Sequence, residues 1–255
     1  PSKRVSCTCT QMKIEELKNK IFCADCLGFM PEIPDKSIDM ILADLPYGTT
    51  ACKWDTIIPF EPLWEQYRRI IKDNGAIVLT ASQPFTSALV MSNIKWFKYE
   101  WIWDKITAKG HLVAKLRPLA QHENILVFGN GKIKYNPIMV NRDKKVKSFE
   151  AKRTEIMGGR SKGYKKEYTQ WYPKTILTFS IERGFHPTQK PVALFEYLIK
   201  TYTNEGDLVL DNVIGSGTTA VAAINTKRNF IGMEKDENYY KIAQERINNL
   251  PVKLF

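Results

Sequence analysis

The 255-residue chain lacks several features that mark whole classes of protein. No run of apolar residues approaches the roughly 18 that a membrane-spanning helix needs. The first 20 residues, which we interpret as an N-terminal tail (residues 1–20), contain no apolar segment of the kind found in secretory signals. These absences argue against a membrane protein and against a secreted one, and they predict a cytoplasmic protein.

Cysteine and histidine, the residues that most often bind zinc, are scarce, with five and three copies. An odd number of cysteines in a cytoplasmic chain argues against a disulfide framework. Cys7, Cys9, Cys23 and Cys26 have a spacing that a four-thiolate zinc site could use. We favour the alternative that Cys23 and Cys26 are small buried residues at the end of an apolar strand. We therefore predict no bound metal.

Acidic residues are too few to balance the basic ones, which gives the chain a net charge of +11. Most of this excess lies in residues 141–174, where 11 Lys and Arg are accompanied by 4 Asp and Glu. Such a concentration of positive charge favours a polyanionic partner but does not identify it. The candidate contacts to that partner are Lys144, Lys145, Lys147, Lys152, Arg153, Arg160, Lys162, Lys165 and Lys166.

Outside this stretch, short apolar runs alternate with segments of helical periodicity. Runs typical of strands lie at residues 21–24, 37–43, 76–80, 96–103, 124–128, 207–210 and 230–233. Helical segments lie at residues 62–73, 84–92, 192–202, 218–226 and 237–249, and we expect Asn74-Gly75 to end the first. The alternation predicts an α/β fold with a mostly parallel sheet and helices on both faces. Residues 130–184 are weakly periodic, which predicts an inserted, partly irregular segment.

One candidate site directly follows the predicted strand at residues 37–43 and consists of Asp44, Leu45, Pro46 and Tyr47. Ligands of open α/β sheets bind beyond the carboxyl ends of the strands, where these residues would lie. The Asp44 carboxylate and the Leu45 carbonyl could accept the two hydrogens of a nucleobase amino group. Tyr47 would offer a flat surface for a base removed from its stack. Taken alone, the four residues fit an ordinary turn equally well.

A second candidate site is the glycine-rich segment at residues 211–219, between a predicted strand and a predicted helix. Gly215 and Gly217 let the chain turn tightly and let a ligand approach the backbone. Glu234 closes the next strand and could accept the hydroxyls of a ribose. This combination predicts an adenosine-containing cofactor, without distinguishing NAD from S-adenosylmethionine. The simpler alternative is a glycine turn that serves helix packing.

A third segment, residues 186–191, precedes the helix predicted at residues 192–202. Pro191 suits the first turn of a helix. Thr188 and Lys190 could face a carboxylate near the N-terminus of that helix. By itself, the segment is also what an ordinary helix start would contain.

In their order and spacing, the three segments resemble the motifs of bacterial and phage DNA amino-methyltransferases whose catalytic motif precedes the cofactor motif. Residues 44–47 resemble D-P-P-Y, residues 186–191 match H-P-T-Q-K-P, and residues 211–219 resemble D-P-F-x-G-S-G-T-T. The resemblance covers about residues 21–250. It implies a Rossmann-like fold with a mostly parallel seven-stranded sheet, S-adenosylmethionine as cofactor and double-stranded DNA as substrate.

The resemblance also implies a division of the chain and a role for each motif residue. Residues 21–104 would form the catalytic half, residues 105–184 a target-recognition insertion with a sheet strand near 124–128, and residues 185–255 the cofactor-binding half. Residues 44–47 would hold and stack the target base. The implied cofactor contacts are Asp25, Cys26, Asp44, Thr188, Lys190, Asp211, Asn212, Gly215, Ser216, Gly217, Thr218, Glu234 and Lys235. A second copy of the chain and a cognate restriction endonuclease are two further partner hypotheses.

The chain departs from the family pattern in both of its main motifs. Leu45 replaces a proline but keeps the backbone carbonyl, whereas Asn212 and Val213 replace a Pro-Phe pair beside the cofactor. Family members that methylate cytosine N4 more often have serine where this chain has Asp44. We therefore predict an adenine-specific N6-methyltransferase. The alternatives are an N4-cytosine enzyme and a DNA-binding protein with a vestigial cofactor site.

Overall fold

The structure is a computed structural model that describes residues 11–49, 55–147, 167–182, 184 and 189–250. The chain forms two compact units, one of residues 1–136 and 175–255 and the other of residues 137–174. In the described ranges, no helix has the length and apolar character that crossing a membrane requires.

The described residues form ten strands, of which eight make up one sheet in the larger unit. In chain order they are β1 (Lys20–Cys23), β2 (Ile38–Ala43), β3 (Ile71–Ala81), β4 (Phe97–Lys109), β5 (Ala120–Phe128), β6 (Val140–Lys147), β7 (Glu167–Trp171), β8 (Ile176–Thr178), β9 (Leu208–Asp211) and β10 (Asn229–Glu234). The sheet order is β1-β10-β9-β2-β3-β5-β4-β8. All neighbours in it are parallel except that β5 runs antiparallel to β3 and β4. The predicted α/β fold with a mostly parallel sheet is confirmed.

The sheet has eight strands where seven were expected. The additional strand is β8, which pairs with β4 at the edge of the sheet, inside the segment predicted to be irregular. Of its three residues, only Leu177 is buried. A strand this short, with one buried side chain, leaves no alternation in the sequence from which it could be predicted.

Helices cover both faces of the sheet, as predicted. They are α1 (Ile14–Leu17), α2 (Cys26–Phe29), α3 (Phe60–Ile70), α4 (Phe85–Ser92), α5 (Val192–Tyr202), α6 (Thr218–Asn225) and α7 (Glu237–Asn248). Neighbouring side chains of β2 enter different apolar clusters because successive residues of a strand point to opposite faces. Ile41 belongs to the cluster that contains α3 and α4, whereas Met40 and Leu42 belong to the one that contains α5 and α6.

The boundary between α3 and β3 differs from the predicted one. The sequence predicted a helix over residues 62–73 that Asn74-Gly75 ends, but α3 ends three residues earlier and β3 follows directly. Asn74 and Gly75 lie inside β3, where its pairing with β2 shifts register. A Cβ at Gly75 would lie 2.8 Å from the carbonyl oxygen of Asp39. Glycine is therefore needed here for the close approach of two strands, and not for ending a helix.

The described part of the smaller unit is a β-hairpin formed by the antiparallel strands β6 and β7. The Arg142 guanidinium lies 3.4 Å from the ring centre of Trp171, close enough for a cation–π contact. The segment at residues 130–184, predicted to be partly irregular, contains these two strands and β8. All five residues of β7 are exposed, so the hairpin leaves no alternating apolar pattern in the sequence.

Three of the nine cations proposed to contact a polyanion lie in the described residues. Lys144 and Lys145 are exposed on β6, where Lys145 pairs with Glu167 at 3.5 Å. Lys147 is the last residue of β6. The other six lie outside the described residues and are Lys152, Arg153, Arg160, Lys162, Lys165 and Lys166.

The two cysteines near the end of β1 differ in their exposure. Cys26 is buried, as predicted, but Cys23 is exposed, so the prediction is wrong there. Cys23 is the last residue of a strand at the edge of the sheet, where one side chain can face solvent. Cys7 and Cys9 lie outside the described residues, and the described ones contain no cluster of His, Cys, Asp and Glu that could hold a metal ion.

Candidate active site

The carboxyl ends of β1, β2, β9 and β10 meet along one edge of the sheet, beside a cavity of about 810 Å³. This volume is in the range of small-molecule and cofactor sites. Of the residues predicted from the sequence, the cavity is lined by Asp25, Cys26, Asp44, Leu45, Pro46, Tyr47, Lys190, Asp211, Asn212, Gly215, Ser216, Thr218, Glu234 and Lys235. The fold thus brings the two main motifs together in one cavity.

Asp44 lies directly beyond β2, and three side chains hold its carboxylate. The Tyr47 hydroxyl lies 2.8 Å from Oδ1, the Thr80 hydroxyl donates to the same oxygen, and the Lys190 ammonium lies 2.6 Å from Oδ2. The Tyr47 ring stacks on Phe85 with ring centres 5.3 Å apart. Burial and the Asp44 charge raise the pKa of Tyr47 well above its usual value, so its hydroxyl remains a donor. These contacts fix the orientation of the carboxylate.

Lys190 is buried between two carboxylates. Its ammonium lies 3.3 Å from Glu123 Oε2 in addition to its contact with Asp44, and Glu123 Oε1 pairs with Lys105 at 2.5 Å. Burial opposes the charged form of Lys190, but the two carboxylates outweigh it and raise its pKa. Burial also opposes ionisation of Glu123, yet Lys190 and Lys105 lower its pKa. Lys105, Glu123, Lys190 and Asp44 therefore form, in this order, a row of side chains with alternating charge.

Thr80 and Glu123 belong to this site but were not predicted from the sequence. Thr80 is a fully buried polar residue next to the apolar run of β3, and Glu123 precedes the apolar run of β5. The antiparallel register pairs Asn124 with Ala81, so the start of β5 lies beside the end of β3. A polar residue bordering an apolar run was the available signal, but the strand direction that brings Glu123 to this edge cannot be read from the sequence.

The glycine-rich loop after β9 is organised around two carboxylates. Asp211 accepts a hydrogen bond from the Val213 N–H at 3.0 Å. Glu234 accepts hydrogen bonds from the N–H groups of Gly215 and Asp236, both at 2.8 Å. Burial raises the pKa of Asp211 to about 7 and also raises the pKa of Glu234. Titratable groups with such shifts in one cavity are typical of functional sites.

Asn212, which stands where the resembling family has proline, connects this loop to α3. Its Oδ1 accepts a hydrogen bond from the Tyr67 hydroxyl at 2.6 Å. Among the described residues, its buried Nδ2 has no nitrogen or oxygen acceptor, and it interacts with the thiol of Cys26, a weak acceptor. A buried amide N–H without a good acceptor is costly unless a ligand or a water completes it. Asn212 and Cys26 both line the cavity, so a ligand there could accept this hydrogen bond.

Of the predicted cofactor contacts that lie in the described ranges, only Gly217 is not among the lining residues. Gly217 precedes α6 with φ of +85°, and a Cβ there would lie 3.2 Å from the Cβ of Ala243 in α7. Glycine at this position therefore serves the packing of two helices. Thr188 lies outside the described residues. Lys235 lines the cavity and is exposed, with its ammonium 3.3 Å from the Asp25 carboxylate.

Comparison with known proteins assigns the chain to a family. The family model N6_N4_Mtase, described as a DNA methylase, matches residues 38–245, and the chain belongs to this family. The Type II methyltransferase M1.MboII of Moraxella bovis is 28% identical over 92% of this chain and 98% of its own. The DNA adenine methyltransferase YhdJ of Escherichia coli (strain K12) is 29% identical over 88% of this chain and 81% of its own.

Solved structures of DNA methyltransferases share the fold. The M1.HpyAVI-SAM complex aligns with 89% of this chain and 98% of its own at 26% identity, with a TM-score of 0.61. The cytosine-N4-specific PvuII DNA methyltransferase aligns with 92% of this chain and 88% of its own, with a TM-score of 0.66. Because the two sequences are 15% identical, this similarity shows a shared fold and nothing about function. The predicted family and its Rossmann-like methyltransferase fold are confirmed.

Proposed function

We propose that this DNA methylase transfers a methyl group from S-adenosylmethionine to N6 of an adenine in duplex DNA. The observation that carries the proposal is that Asp44, Asp211 and Glu234 line the same cavity. That cavity therefore contains acceptors for a base amino group together with polar groups suited to a nucleoside cofactor. Asp44 in the catalytic motif supports adenine, and the relative YhdJ is named as a DNA adenine methyltransferase.

The lining residues fit S-adenosylmethionine, the molecule in the M1.HpyAVI-SAM complex. Glu234 would accept the ribose hydroxyls, Asp25 the adenine amino group and Asp211 the ammonium of the methionine part. The Nδ2 of Asn212, which has no nitrogen or oxygen acceptor among the described residues, offers a buried donor in the same cavity. When bound, this cofactor supplies a methyl group on a positively charged sulfur, which is an excellent leaving group. The protein therefore contributes mainly orientation and the exclusion of water.

The target adenine would lie against Tyr47 with its amino group at Asp44. Reaching that position requires the base to be flipped out of the duplex. The N6 lone pair is delocalised into the ring, which makes N6 a poor nucleophile. The Asp44 carboxylate and the Leu45 carbonyl would accept the two N6 hydrogens and bias the nitrogen toward tetrahedral geometry. N6 then bonds to the methyl carbon as the carbon–sulfur bond breaks, and it releases one proton, for which Asp44 is the acceptor.

Cytosine N4 is the second candidate target, because it is an amino group with the same delocalised lone pair. The PvuII methyltransferase, which has the same fold, is described as cytosine-N4-specific. The basic residues of 141–174 would contact phosphates and give affinity rather than sequence specificity. Association with a second copy of the chain and cooperation with a restriction endonuclease are further predictions.

Incubation with labelled S-adenosylmethionine and mixed-sequence duplex DNA is expected to place the label on N6-methyladenine. Nucleoside digestion and mass spectrometry of the DNA identify the modified base. Label on N4-methylcytosine would leave the proposed mechanism unchanged and identify cytosine as the target base in place of adenine. Absence of label from every DNA tested would refute the proposal and favour a binding protein with a vestigial cofactor site.

The affinity for S-adenosylmethionine is expected to fall as the pH decreases below about 7. Asp211 has a pKa raised to about 7 by burial, so it becomes protonated in this range and loses its attraction for the methionine ammonium. The linkage of one proton gives a loss of up to about tenfold per pH unit. Calorimetric titrations at several pH values between about 5.5 and 7.5 measure the slope.

Two controls make the test of Asp211 specific. Asp211→Asn is expected to remove the pH dependence, because the amide does not titrate. Methylthioadenosine lacks the methionine ammonium. It is expected to bind the unmodified protein with an affinity that does not depend on pH in this way. Equal slopes for both ligands, or an unchanged slope in Asp211→Asn, would show that the ammonium does not bind at Asp211.

A further inference from the structure

Glu182 lies outside the cavity and holds the chain on both sides of Lys190. Its Oε1 accepts a hydrogen bond from the Val192 N–H at 3.1 Å, and its Oε2 accepts one from the side-chain amide of Gln189 at 3.3 Å. Gln189 and Lys190 both line the cavity. We propose that Glu182 is a positioning residue for methyl transfer, because it fixes the place from which Lys190 reaches Asp44. This inference rests on the proposed function, in which the Asp44 carboxylate receives the amino group of the target base.

The N-terminus of α5 depends on Glu182 because its own sequence supplies no cap. The first N–H groups of a helix have no partner within the helix and need another acceptor. The residue at the N-cap position is Pro191, whose side chain has no oxygen. Glu182, ten residues earlier in the chain, provides the acceptor for Val192, the first residue of α5. Because Lys190 directly precedes Pro191, a fixed helix start also fixes the backbone of Lys190.

The segment that carries Glu182 is itself attached to the sheet. The Phe179 N–H donates to the Asp104 carbonyl at 3.2 Å, and the Phe179 carbonyl accepts a hydrogen bond from the Trp103 indole at 2.8 Å. Both polar backbone groups of Phe179 are therefore held by β4, three residues before Glu182. Trp103 is buried, and all these residues belong to the same compact unit as α5. The Glu182 carboxylate thus connects the edge of the sheet to the start of α5.

Lys190 needs a fixed backbone because its ammonium contacts two carboxylates. The ammonium lies 2.6 Å from Asp44 Oδ2 and 3.3 Å from Glu123 Oε2, and the side chain is 5% exposed. An ammonium on a flexible stem is a point charge with no preferred direction, so its position follows from the backbone that carries it. A shift of that backbone would change the distances to both carboxylates. It would thereby change the orientation of Asp44 before a base arrives, which affects the chemical step.

A purely structural role is the alternative, in which Glu182 stabilises the start of α5 and nothing more. Substitutions in the full-length chain separate the two roles. Glu182→Ala removes both hydrogen bonds, whereas Glu182→Gln keeps a side-chain oxygen that can accept from Val192. The matched control is Glu196→Ala, since Glu196 is a half-buried glutamate of α5 that bonds Asn225 at 2.8 Å and lies outside the cavity. It removes a comparable contact of the same helix, away from Lys190.

Steady-state methyl transfer to mixed-sequence duplex DNA gives kcat, calorimetry gives the affinity for S-adenosylmethionine, and thermal unfolding reports stability. Glu182→Ala is expected to lower kcat by about tenfold, which is less than the effect of misplacing a catalytic group by about 1 Å. Its affinity for the cofactor is expected to stay within about twofold, because the change affects the reacting groups more than binding. Glu182→Gln is expected to recover kcat to within about threefold of the unmodified chain, since the cap is retained. Glu196→Ala is expected to keep kcat even where its Tm falls as far as that of Glu182→Ala.

The same substitution in a Lys190→Gln background tests whether Glu182 acts through Lys190. Two substitutions that act through one contact are not additive, so Glu182→Ala is expected to cost less than about twofold in kcat once the ammonium is absent. A purely structural role would give the same loss in both backgrounds. Single-turnover assays extend the measurement to slow variants.

The outcomes distinguish this inference from the proposed function. If Glu182→Ala keeps the kcat of the unmodified chain while adenine carries the label, the inference is wrong and the proposed function stands. An equal loss of kcat in Glu182→Ala and Glu182→Gln, or in both Lys190 backgrounds, would also overturn it, as would a matching loss in Glu196→Ala. If the expected pattern is found with the label on cytosine, the inference stands and the adenine target is wrong.

Discussion

Asp44→Ala is expected to reduce the rate of methyl transfer by about 100- to 1,000-fold, the size of effect that follows the loss of one oriented polar group at a reacting centre. The carboxylate is held in place by Tyr47, Thr80 and Lys190, so it is oriented before any base arrives. In the proposed mechanism, its removal would deprive the amino hydrogens of the target base of their charged acceptor and leave the Leu45 carbonyl alone. Because the effect is on the chemical step, the affinity for S-adenosylmethionine is expected to change much less than the rate.

Single-turnover transfer from labelled S-adenosylmethionine measures the rate, and calorimetry measures the affinity for the cofactor. Asp73→Ala is a suitable control, since Asp73 is an exposed aspartate that pairs with the exposed Lys36 in the same unit. It is expected to leave both quantities unchanged. An Asp44→Ala protein that methylates DNA at the unmodified rate would remove Asp44 from the mechanism and with it the argument for this cavity as the active site.

The positions in the cavity of the proposed catalytic and cofactor motifs were predictable because each follows a parallel strand. Parallel strands end at a common edge, so Asp44 after β2 and Asp211 at the end of β9 had to lie near each other once both strands were recognised. The apolar runs that identify these strands are short, but residues such as Asp44 and Gly215 mark where they end. The same reasoning gave the bounds of α5, whose apolar face and preceding Pro191 are both visible in the sequence.

The parts that could not be predicted depend on strand direction or on very short elements. Glu123 reaches the cavity only because β5 is antiparallel to β3, and an isolated glutamate before an apolar run does not reveal that direction. The partner of Lys190 was missed for a related reason. The resemblance implied a cofactor carboxylate near Lys190, whereas its nearest carboxylates in the structure are those of Asp44 and Glu123. Contacts between residues this distant in sequence arise from the assembled sheet, and no local pattern encodes them.

The contact between Lys190 and Asp44 has a consequence for catalysis. The ammonium lies 2.6 Å from Asp44 Oδ2, an oxygen that the amino group of the target base would also need in the proposed mechanism. A buried lysine that lost its only carboxylate would be strongly destabilised. Lys190 has a second carboxylate, because Glu123 Oε2 lies 3.3 Å from its ammonium. We therefore expect Lys190 to move from Asp44 toward Glu123 when the base enters, which makes Glu123 a positioning residue for Asp44.

Glu123→Gln is accordingly expected to lower kcat by about 10- to 100-fold, which is comparable to the effect of misplacing a catalytic group by about 1 Å. With a neutral amide at position 123, Lys190 would remain on Asp44 and compete with the amino group of the base. The affinity for S-adenosylmethionine is expected to change little. Steady-state methyl transfer gives kcat and KM separately, and thermal unfolding reports the stability of each protein.

Glu100→Gln on the adjacent strand β4 is the matched control, since Glu100 is exposed and bonds Asn124 instead of a buried lysine. It is expected to keep the kcat of the unmodified chain. In a Lys190→Gln background, Glu123→Gln is expected to have a much smaller effect on kcat, because no ammonium is left to hold Asp44. A Glu123→Gln protein with lowered stability but normal kcat, or with the same loss of kcat in both backgrounds, would mean that Glu123 supports the fold and does not control access to Asp44.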